Sequence, residues 1–302
     1  MNDLGKIILY LIGTVILGAL LASPLYWGAH WLASHDIFPV LAEFPYRRYF
    51  HRGLLVAAIL LLWPTARWLA IPGVRELGLV PNPRRWRDLA FGFAASFLMM
   101  TLLAIVLLQL DVYRLRSSTQ WVPLARVALS AVVVSLLEEG LFRGALLGLA
   151  MRTLSWRPAL LAVSALYSIL HFLKPQQELP DGHTINLFSG FVMIPGAFAQ
   201  FQEPWLVLGG FTTLFLIGWI LGWSRLRTGS LWMAIGLHAG WILGKMGFSK
   251  VALRRNKETL PWLGEDMAVG IVSVITVALT GLIVWWWLRR RARRETEAAA
   301  SP

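Results

Sequence analysis

The sequence predicts an all-α fold, a polytopic transmembrane helical bundle with about eight spans. Hydrophobic residues make up 57% of the 302 residues, charged residues only 15%, and the mean hydropathy is +0.61. A soluble globular domain needs more polar surface than this composition supplies. The 16 tryptophans agree with a membrane location, because Trp favours the headgroup region of a bilayer.

Eight apolar runs have about the 20 residues that a helix needs to cross a bilayer. We expect the first run to be a retained helix, because it is too long and too aromatic at its end for a cleaved signal peptide. The runs cover approximately residues 7–30, 53–72, 89–110, 122–150, 157–175, 205–224, 229–247 and 267–288.

The chain divides into three segments on this pattern. Residues 1–120 hold N-terminal transmembrane helices and a basic interfacial connector, residues 121–250 a helical core, and residues 251–302 a last transmembrane helix and a basic tail. The longest polar interruption, residues 174–204, is rich in proline and is predicted to be a re-entrant or interfacial element.

The basic residues account for a formal net charge of +12. They lie in short loops and in the tail at residues 289–294, not on one amphipathic face, so the sequence does not predict nucleic-acid binding. An even number of spans puts both termini on one side, and the tail arginines indicate the cytoplasm. The same arginines are expected to contact anionic lipids. The absence of cysteine excludes a thiol nucleophile and thiolate metal sites.

Three charges interrupt the fourth apolar run, at Glu138, Glu139 and Arg143. Each costs roughly 2.5 to 3.5 kcal/mol at the middle of a membrane helix, so partners inside the bundle are required. On a helix, Glu139 and Arg143 share one face and can pair. Glu138 points about 100° away from Glu139. We interpret the pair as structural, which leaves Glu138 outside it.

Two other apolar runs carry one histidine each, His171 and His238. Counted from the predicted boundaries, Glu138 and both histidines lie at a similar depth, roughly 17 to 21 Å below the membrane surface. Stripes of glycine at a spacing of four residues accompany Glu138 and His238, and such stripes let helices approach closely. We therefore expect Glu138, His171 and His238 to share one polar site. The stripes are Gly140, Gly144 and Gly148, and Gly236, Gly240 and Gly244.

These motifs resemble the CPBP family of intramembrane glutamic endopeptidases, which includes CAAX prenyl proteases and bacteriocin-processing, Abi-like proteins. The resemblance rests on three elements in order: E-E-x-x-x-R at residues 138–143, an aromatic residue and a histidine with three residues between them at Tyr167 and His171, and G-L-H-A-G-W around His238. It covers about residues 120–247, which we take as the catalytic core.

The resemblance implies an intramembrane endopeptidase that needs no metal or other cofactor. It implies that Glu138, helped by His171, activates water for attack on a peptide bond. His238 would help to stabilise the developing oxyanion, and Glu139 with Arg143 would brace the site. The expected partners are a membrane-anchored or lipidated peptide or protein substrate and the lipid bilayer. The expected location is a bacterial inner membrane.

Two positions depart from the family pattern. Tyr167 stands where Phe is usual, and Ile242 stands where an Asn is common, four positions after His238. An amide that would help to hold the oxyanion is therefore missing. Removing one such donor typically costs about a hundredfold or more in rate. Either another group replaces the amide or the activity is weak.

Two alternatives use the same residues differently. Glu138, His171 and His238 are acceptable zinc ligands, and two His plus one carboxylate with an open position is a hydrolytic arrangement. The other alternative is a protein without enzymatic activity: an immunity or scaffold protein with a decayed site, or a transporter with a proton relay. Ile242 is the observation that favours it.

Overall fold

A computed structural model of the protein describes residues 3–71, 73, 75, 80–118, 121–172, 177–255, 261–264 and 267–300. Its architecture confirms the all-α polytopic bundle. The helices are α1 (Asp3–Ser34), α2 (Tyr46–Trp68), α3 (Arg85–Gln109), α4 (Trp121–Glu139), α5 (Leu147–Thr153), α6 (Trp156–Phe172), α7 (Ser189–Ala197), α8 (Pro204–Leu206), α9 (Thr212–Thr228), α10 (Trp232–Val251) and α11 (Ile271–Ala300).

Short segments connect some of these helices without breaking them. A π-helical segment, Gly140–Leu146, joins α4 to α5, and a second, Val207–Phe211, joins α8 to α9. Single 3₁₀ turns lie at Pro39–Leu41 and Ala199–Gln202. Two three-residue strands, β1 (Tyr113–Leu115) and β2 (Ala252–Arg254), pair antiparallel with Arg114 opposite Leu253.

Among the described residues, 6 helices are long and apolar enough to cross a membrane. The predicted number of eight spans is therefore wrong, although helices lie at the positions of all eight apolar runs. The six candidate spans are Gly5–Ser34, Tyr46–Trp68, Arg85–Gln109, Trp121–Thr153, Pro204–Thr228 and Ile271–Arg294.

Two helices that lie at predicted spans, α6 and α10, are not candidate spans, and the reasons differ. The described part of helix α6, Trp156–Phe172, has 17 residues. Helix α10 has 20 residues but includes His238 and two lysines, and it packs against α3, α4 and α9. Because protein surrounds much of α10, its sequence does not need the apolar surface that lipid demands.

The first compact unit contains Met1–Gly73 and Leu170–Glu203. Helices α1 and α2 pack closely, and a Cβ at Gly53 would overlap the carbonyl oxygen of Gly18. Helix α7 packs on α1, where Gly190 allows the same close approach to Ala19. In the polar stretch 174–204, residues 174–176 lie outside the described residues. Its membrane position stays a prediction.

The second compact unit contains Val74–Ile169 and Pro204–Pro302. Its hydrophobic core surrounds α10, with Met233, Leu237 and Trp241 buried among side chains of α3, α9 and α11. The three-segment division of the sequence concerns function and stays a prediction.

The glycine stripe of α10 packs this helix against α3. A Cβ at Gly236 would overlap the carbonyl oxygen of Leu89, and one at Gly240 would overlap the hydroxyl of Ser96. His238 is about 200° from Gly236 around the helix, so the stripe turns His238 away from α3. In contrast, a Cβ at Gly140 would meet no described atom within 4 Å. That glycine marks no helix contact.

Candidate active site

The acidic motif lies at a change in helix type. Glu138 and Glu139 are the last residues of α4, and Arg143 lies inside the π-helical segment that follows. Short π-helical insertions are frequent at functional sites, because the wider turn displaces side chains from the regular helical positions. The insertion here occurs within the E-E-x-x-x-R motif.

Arg143 and Glu139 form a fully buried ion pair. The Nη1 atom of Arg143 donates to Oε1 of Glu139 at 3.0 Å, and the side chains are 1% and 0% exposed. The Nη2 atom of Arg143 donates to the carbonyl oxygen of Gly218 on α9 at 3.4 Å. A buried ion pair is tolerated when further hydrogen bonds satisfy its remaining atoms. Arg143 therefore connects the α4 motif to α9.

Gly218 permits this connection. A Cβ at Gly218 would lie 3.1 Å from the Cα of Ser164 on α6, which is tighter than an ordinary van der Waals contact. Glycine at this position therefore lets α9 approach α6. The same residue presents its carbonyl oxygen to Arg143.

His238 lies between the two glutamates. Its Nδ1 atom is 2.8 Å from Oε1 of Glu139, and its Nε2 atom is 3.8 Å from Oε2 of Glu138. An ionised carboxylate can only accept a hydrogen bond, so the Nδ1 atom that faces Glu139 is assigned the proton of the imidazole ring. One oxygen of Glu139 thus binds both His238 and Arg143, and the other ring nitrogen of His238 is directed towards Glu138.

The two glutamates differ in accessibility. The Glu138 side chain is 19% exposed, whereas that of Glu139 is 0% exposed. The preceding residues Leu136 and Leu137 are exposed apolar side chains. Glu138 therefore borders the apolar outer face of α4, and Glu139 is sealed inside the bundle.

Tyr167 of α6 forms an aromatic wall of the site. Its ring packs edge-on against Phe142 at a centroid distance of 5.1 Å and against His238 at 6.3 Å. The guanidinium carbon of Arg143 lies 4.2 Å from the Tyr167 ring centroid, a cation–π distance. These contacts fix the planes of the Arg143 and His238 side chains.

The structure therefore groups Glu138, Glu139, Arg143, Tyr167 and His238 in one compact unit. The described residues contain no group of three or more His, Asp or Glu side chains that could hold a metal ion.

The structure gives positions for two further predicted site residues, His171 and Ile242, but does not test their roles. His171 is a half-buried residue in the last turn of α6, within the segment Leu170–Glu203 of the first unit. Ile242 is half-buried on α10, one turn after His238. The catalytic role of His171 and the effect of Ile242 stay predictions.

Sequence reasoning missed two contacts. It assigned Glu139 only to Arg143, but Glu139 also binds His238. It also missed the carbonyl oxygen of Gly218, because a backbone acceptor has no residue-type signature. The glycine stripe of α10 could have predicted the contact between Glu139 and His238. The stripe packs on α3, and this packing determines which side of α10 faces α4.

Comparison with known proteins confirms the resemblance that the motifs indicate. Residues 119–243 match the family described as type II CAAX prenyl endopeptidase Rce1-like. The matched stretch includes every residue assigned to the site. No curated protein and no solved structure matches the chain.

Proposed function

Since residues 119–243 match the Rce1-like type II CAAX prenyl endopeptidases, we propose that this integral membrane protein is an intramembrane endopeptidase of glutamic type. The observation that carries the proposal is the placement of His238 between Glu139 and Glu138. A carboxylate beside an oriented imidazole inside a membrane protein is suited to activating water.

Glu138 is the better candidate for the general base. Oε1 of Glu139 already accepts from Arg143 and contacts His238, and the whole side chain is sealed from solvent and substrate. The Glu138 side chain is 19% exposed, and its Oε2 atom lies 3.8 Å from Nε2 of His238. A general base has to reach the water whose proton it takes. Glu139 instead orients the imidazole, and Arg143 balances its charge.

The proposed reaction has two steps, the addition of water to the peptide carbonyl and the collapse of the tetrahedral intermediate. Glu138 takes a proton from water while the water oxygen bonds to the carbonyl carbon, and the carbonyl π electrons move to oxygen. As the tetrahedral intermediate collapses, the C–N bond breaks and Glu138 returns its proton to the leaving nitrogen. His238, with Nδ1–H directed to Glu139, stabilises the oxyanion through Nε2–H when the ring is protonated.

The distance between Nε2 of His238 and Oε2 of Glu138 leaves room for a water or substrate oxygen that contacts both atoms. At 3.8 Å, Nε2 and Oε2 are too far apart for a direct hydrogen bond. Such a separation allows one water or substrate oxygen to contact both atoms. His171 is proposed to assist Glu138 on the strength of the family resemblance.

The substrate is proposed to be a membrane-anchored or lipidated protein or peptide. Glu138 borders the exposed apolar face that includes Leu136 and Leu137, so a lipid-embedded chain has a lateral route to it. A prenylated C-terminal peptide, a bacteriocin-type leader and the hydrophobic sorting tail of an exported protein all fit this chemistry. We further propose a bacterial inner-membrane location with both termini in the cytoplasm.

The experiment is a comparison of terminal peptides in membrane fractions. A deletion strain complemented with wild-type protein should lack terminal segments that persist in the same strain complemented with Glu138→Gln. A conservative change at an exposed carboxylate elsewhere, Glu178→Gln, serves as the control and should process normally. If the three strains have identical termini, the proposed function is wrong.

A further inference from the structure

A strongly basic cavity lies in the second compact unit, where α3 begins and α11 ends. Its volume is about 360 Å³. Among the residues that the structure describes, five arginines and two tryptophans line it, and none of these carries a carboxylate. The arginines that line it are Arg84, Arg87, Arg290, Arg291 and Arg294.

One of these arginines joins the two helices that form the cavity. Arg291 donates through Nη1 to both oxygens of Asp88, at 2.9 and 3.2 Å. Asp88 is fully buried and also accepts from the side-chain amide of Asn82 at 2.8 Å. Asn82 in turn donates to Ser230 at 2.8 Å. This network joins α11 to the start of α3. The hydrogen bonds of the Asp88 carboxylate go to Arg291 and Asn82 of the same protein.

Two of the remaining arginines, Arg87 and Arg290, lie over aromatic rings at the cavity wall. The guanidinium carbon of Arg290 lies 3.7 Å from the Trp286 ring centroid, and that of Arg87 lies 6.0 Å from Trp287. Trp287 is itself stacked on Phe91, with centroids 4.3 Å apart and planes inclined by 13°. The cavity is thus built from fixed cations on a rigid aromatic base.

The tryptophans also indicate the depth of the cavity. Trp favours the boundary between the hydrocarbon core and the headgroups, and here Trp286 and Trp287 come just before the arginine run of α11. Arg87, Arg290 and Arg294 are exposed, and Arg290 and Arg294 follow these tryptophans along α11, so they are expected on the polar side of that boundary. This is the depth at which lipid phosphates lie.

We propose that this cavity binds the phosphate group of an anionic membrane lipid. Planar guanidinium groups match phosphate oxygens with two parallel hydrogen bonds, and basic pockets between membrane helices suit such headgroups. Arg87, Arg290 and Arg294 supply the donors, while Arg291 holds the two helices at the required spacing. The proposal does not depend on the protease activity.

The test measures lipid binding to the purified full-length protein by native mass spectrometry. Phosphatidylglycerol and phosphatidylcholine with identical acyl chains are compared. Wild-type protein should retain phosphatidylglycerol preferentially, and the double variant Arg87→Gln/Arg290→Gln should bind it roughly thirtyfold more weakly. The matched control is Arg157→Gln/Arg227→Gln, which removes two exposed arginines that also lie over tryptophans, outside this cavity.

Three outcomes would overturn the proposal. Equal weakening in the two double variants would mean diffuse attraction of charges. Equal retention of the two lipids by wild-type protein would mean that the cavity does not select the net negative charge of an anionic headgroup, and this comparison needs no variant. Displacement of phosphatidylglycerol by millimolar inorganic phosphate would assign the cavity to a soluble anion. Thermal melting of each variant checks that it is folded.

Discussion

At the scale of single residues, two neighbouring glutamates have different surroundings. Glu139 contacts a guanidinium and an imidazole and is fully buried, whereas Glu138 is partly exposed and its Oε2 atom lies 3.8 Å from Nε2 of the same imidazole. Adjacent positions on a helix point about 100° apart, so sequence neighbours can serve different functions. The two side chains are therefore expected to respond differently to the same substitution.

Glu138→Gln should abolish processing with little change in protein level. Glutamine keeps the shape and polarity of the side chain but cannot take a proton from water, so the rate should fall by at least about a hundredfold. Processing is measured by the terminal peptides described above, and protein level by quantitative blotting. Wild-type processing by this variant would exclude Glu138 as the base.

Glu139→Gln should instead lower the stability of the protein. The substitution leaves the buried Arg143 without its counter-charge, and breaking a buried pair on one side typically costs about 3 to 5 kcal/mol. Thermal melting in detergent should show a clear decrease relative to both wild type and Glu138→Gln. A melting temperature equal to that of Glu138→Gln would contradict the assignment of Glu139 to structure.

Ile242→Asn tests the missing amide. If an oxyanion donor is absent at this position, the new side chain should raise the rate, by up to about a hundredfold. Ile242→Val is the control, because it changes size without adding a donor. An unchanged or lower rate in folded Ile242→Asn would show that another group already performs this function.

At the scale of elements, the orientation of α10 depends on its glycines. Gly240→Ala would force the α3 and α10 helices apart, because the added Cβ overlaps Ser96 and the backbone at Phe93. Overpacking of this kind costs about 1 to 3 kcal/mol, so the melting temperature should fall by roughly 5 °C and processing should decline with the displaced His238. Melting and processing are measured on the same preparations.

The matched control for this substitution is Gly28→Ala on α1. A Cβ there meets no described atom within 4 Å, and alanine favours an exposed helix by about 1 kcal/mol over glycine. Its melting temperature should be unchanged or slightly higher. A fall equal to that of Gly240→Ala would mean that the effect does not come from the α3–α10 contact.

The composition of the sequence predicted where the helices lie, but not which of them are candidate membrane spans. Apolar runs located the helices, because lipid and core both favour long apolar segments. They did not separate α6 and α10 from the true candidate spans, since a helix surrounded by protein and a helix surrounded by lipid share much of their composition. The π-helical segment at Gly140–Leu146 was not predictable either, because no residue pattern specifies it.

The site was predictable where its geometry is local. Glu139 and Arg143 belong to one helix, so their spacing predicted the contact that the structure contains at 3.0 Å. The contact between Glu139 and His238 joins residues 99 positions apart. It depends on which side of α10 faces α4, and the packing against α3 determines this.

At the scale of the whole molecule, packing and proposed chemistry use opposite sides of the same helix. The glycine side of α10 packs on α3, while His238 on another side meets the motif of α4. The Asp88–Arg291 pair joins α3 to α11, so α3 is held at its first turn as well. Rigid support of this kind keeps a reactive group in place without adding residues to the site.

Removal of metal ions from the purified protein separates a glutamic from a zinc mechanism. In the glutamic mechanism, Glu138 takes the proton of water directly and the pair of Glu139 with Arg143 orients His238, so no ion is required. Activity should therefore survive exhaustive treatment with a membrane-compatible chelator, and elemental analysis should find well under one zinc per chain. In a zinc mechanism the metal would lower the pKa of its bound water, and activity would disappear with the ion.

Glu138→Gln protein, carried through the same treatment, sets the background rate. Stoichiometric zinc that is lost together with activity, and restores activity when added back, would refute the glutamic mechanism. Activity at the background rate in every preparation, with no phenotype for Glu138→Gln in cells, would favour a protein without enzymatic function, with Ile242 as the physical reason.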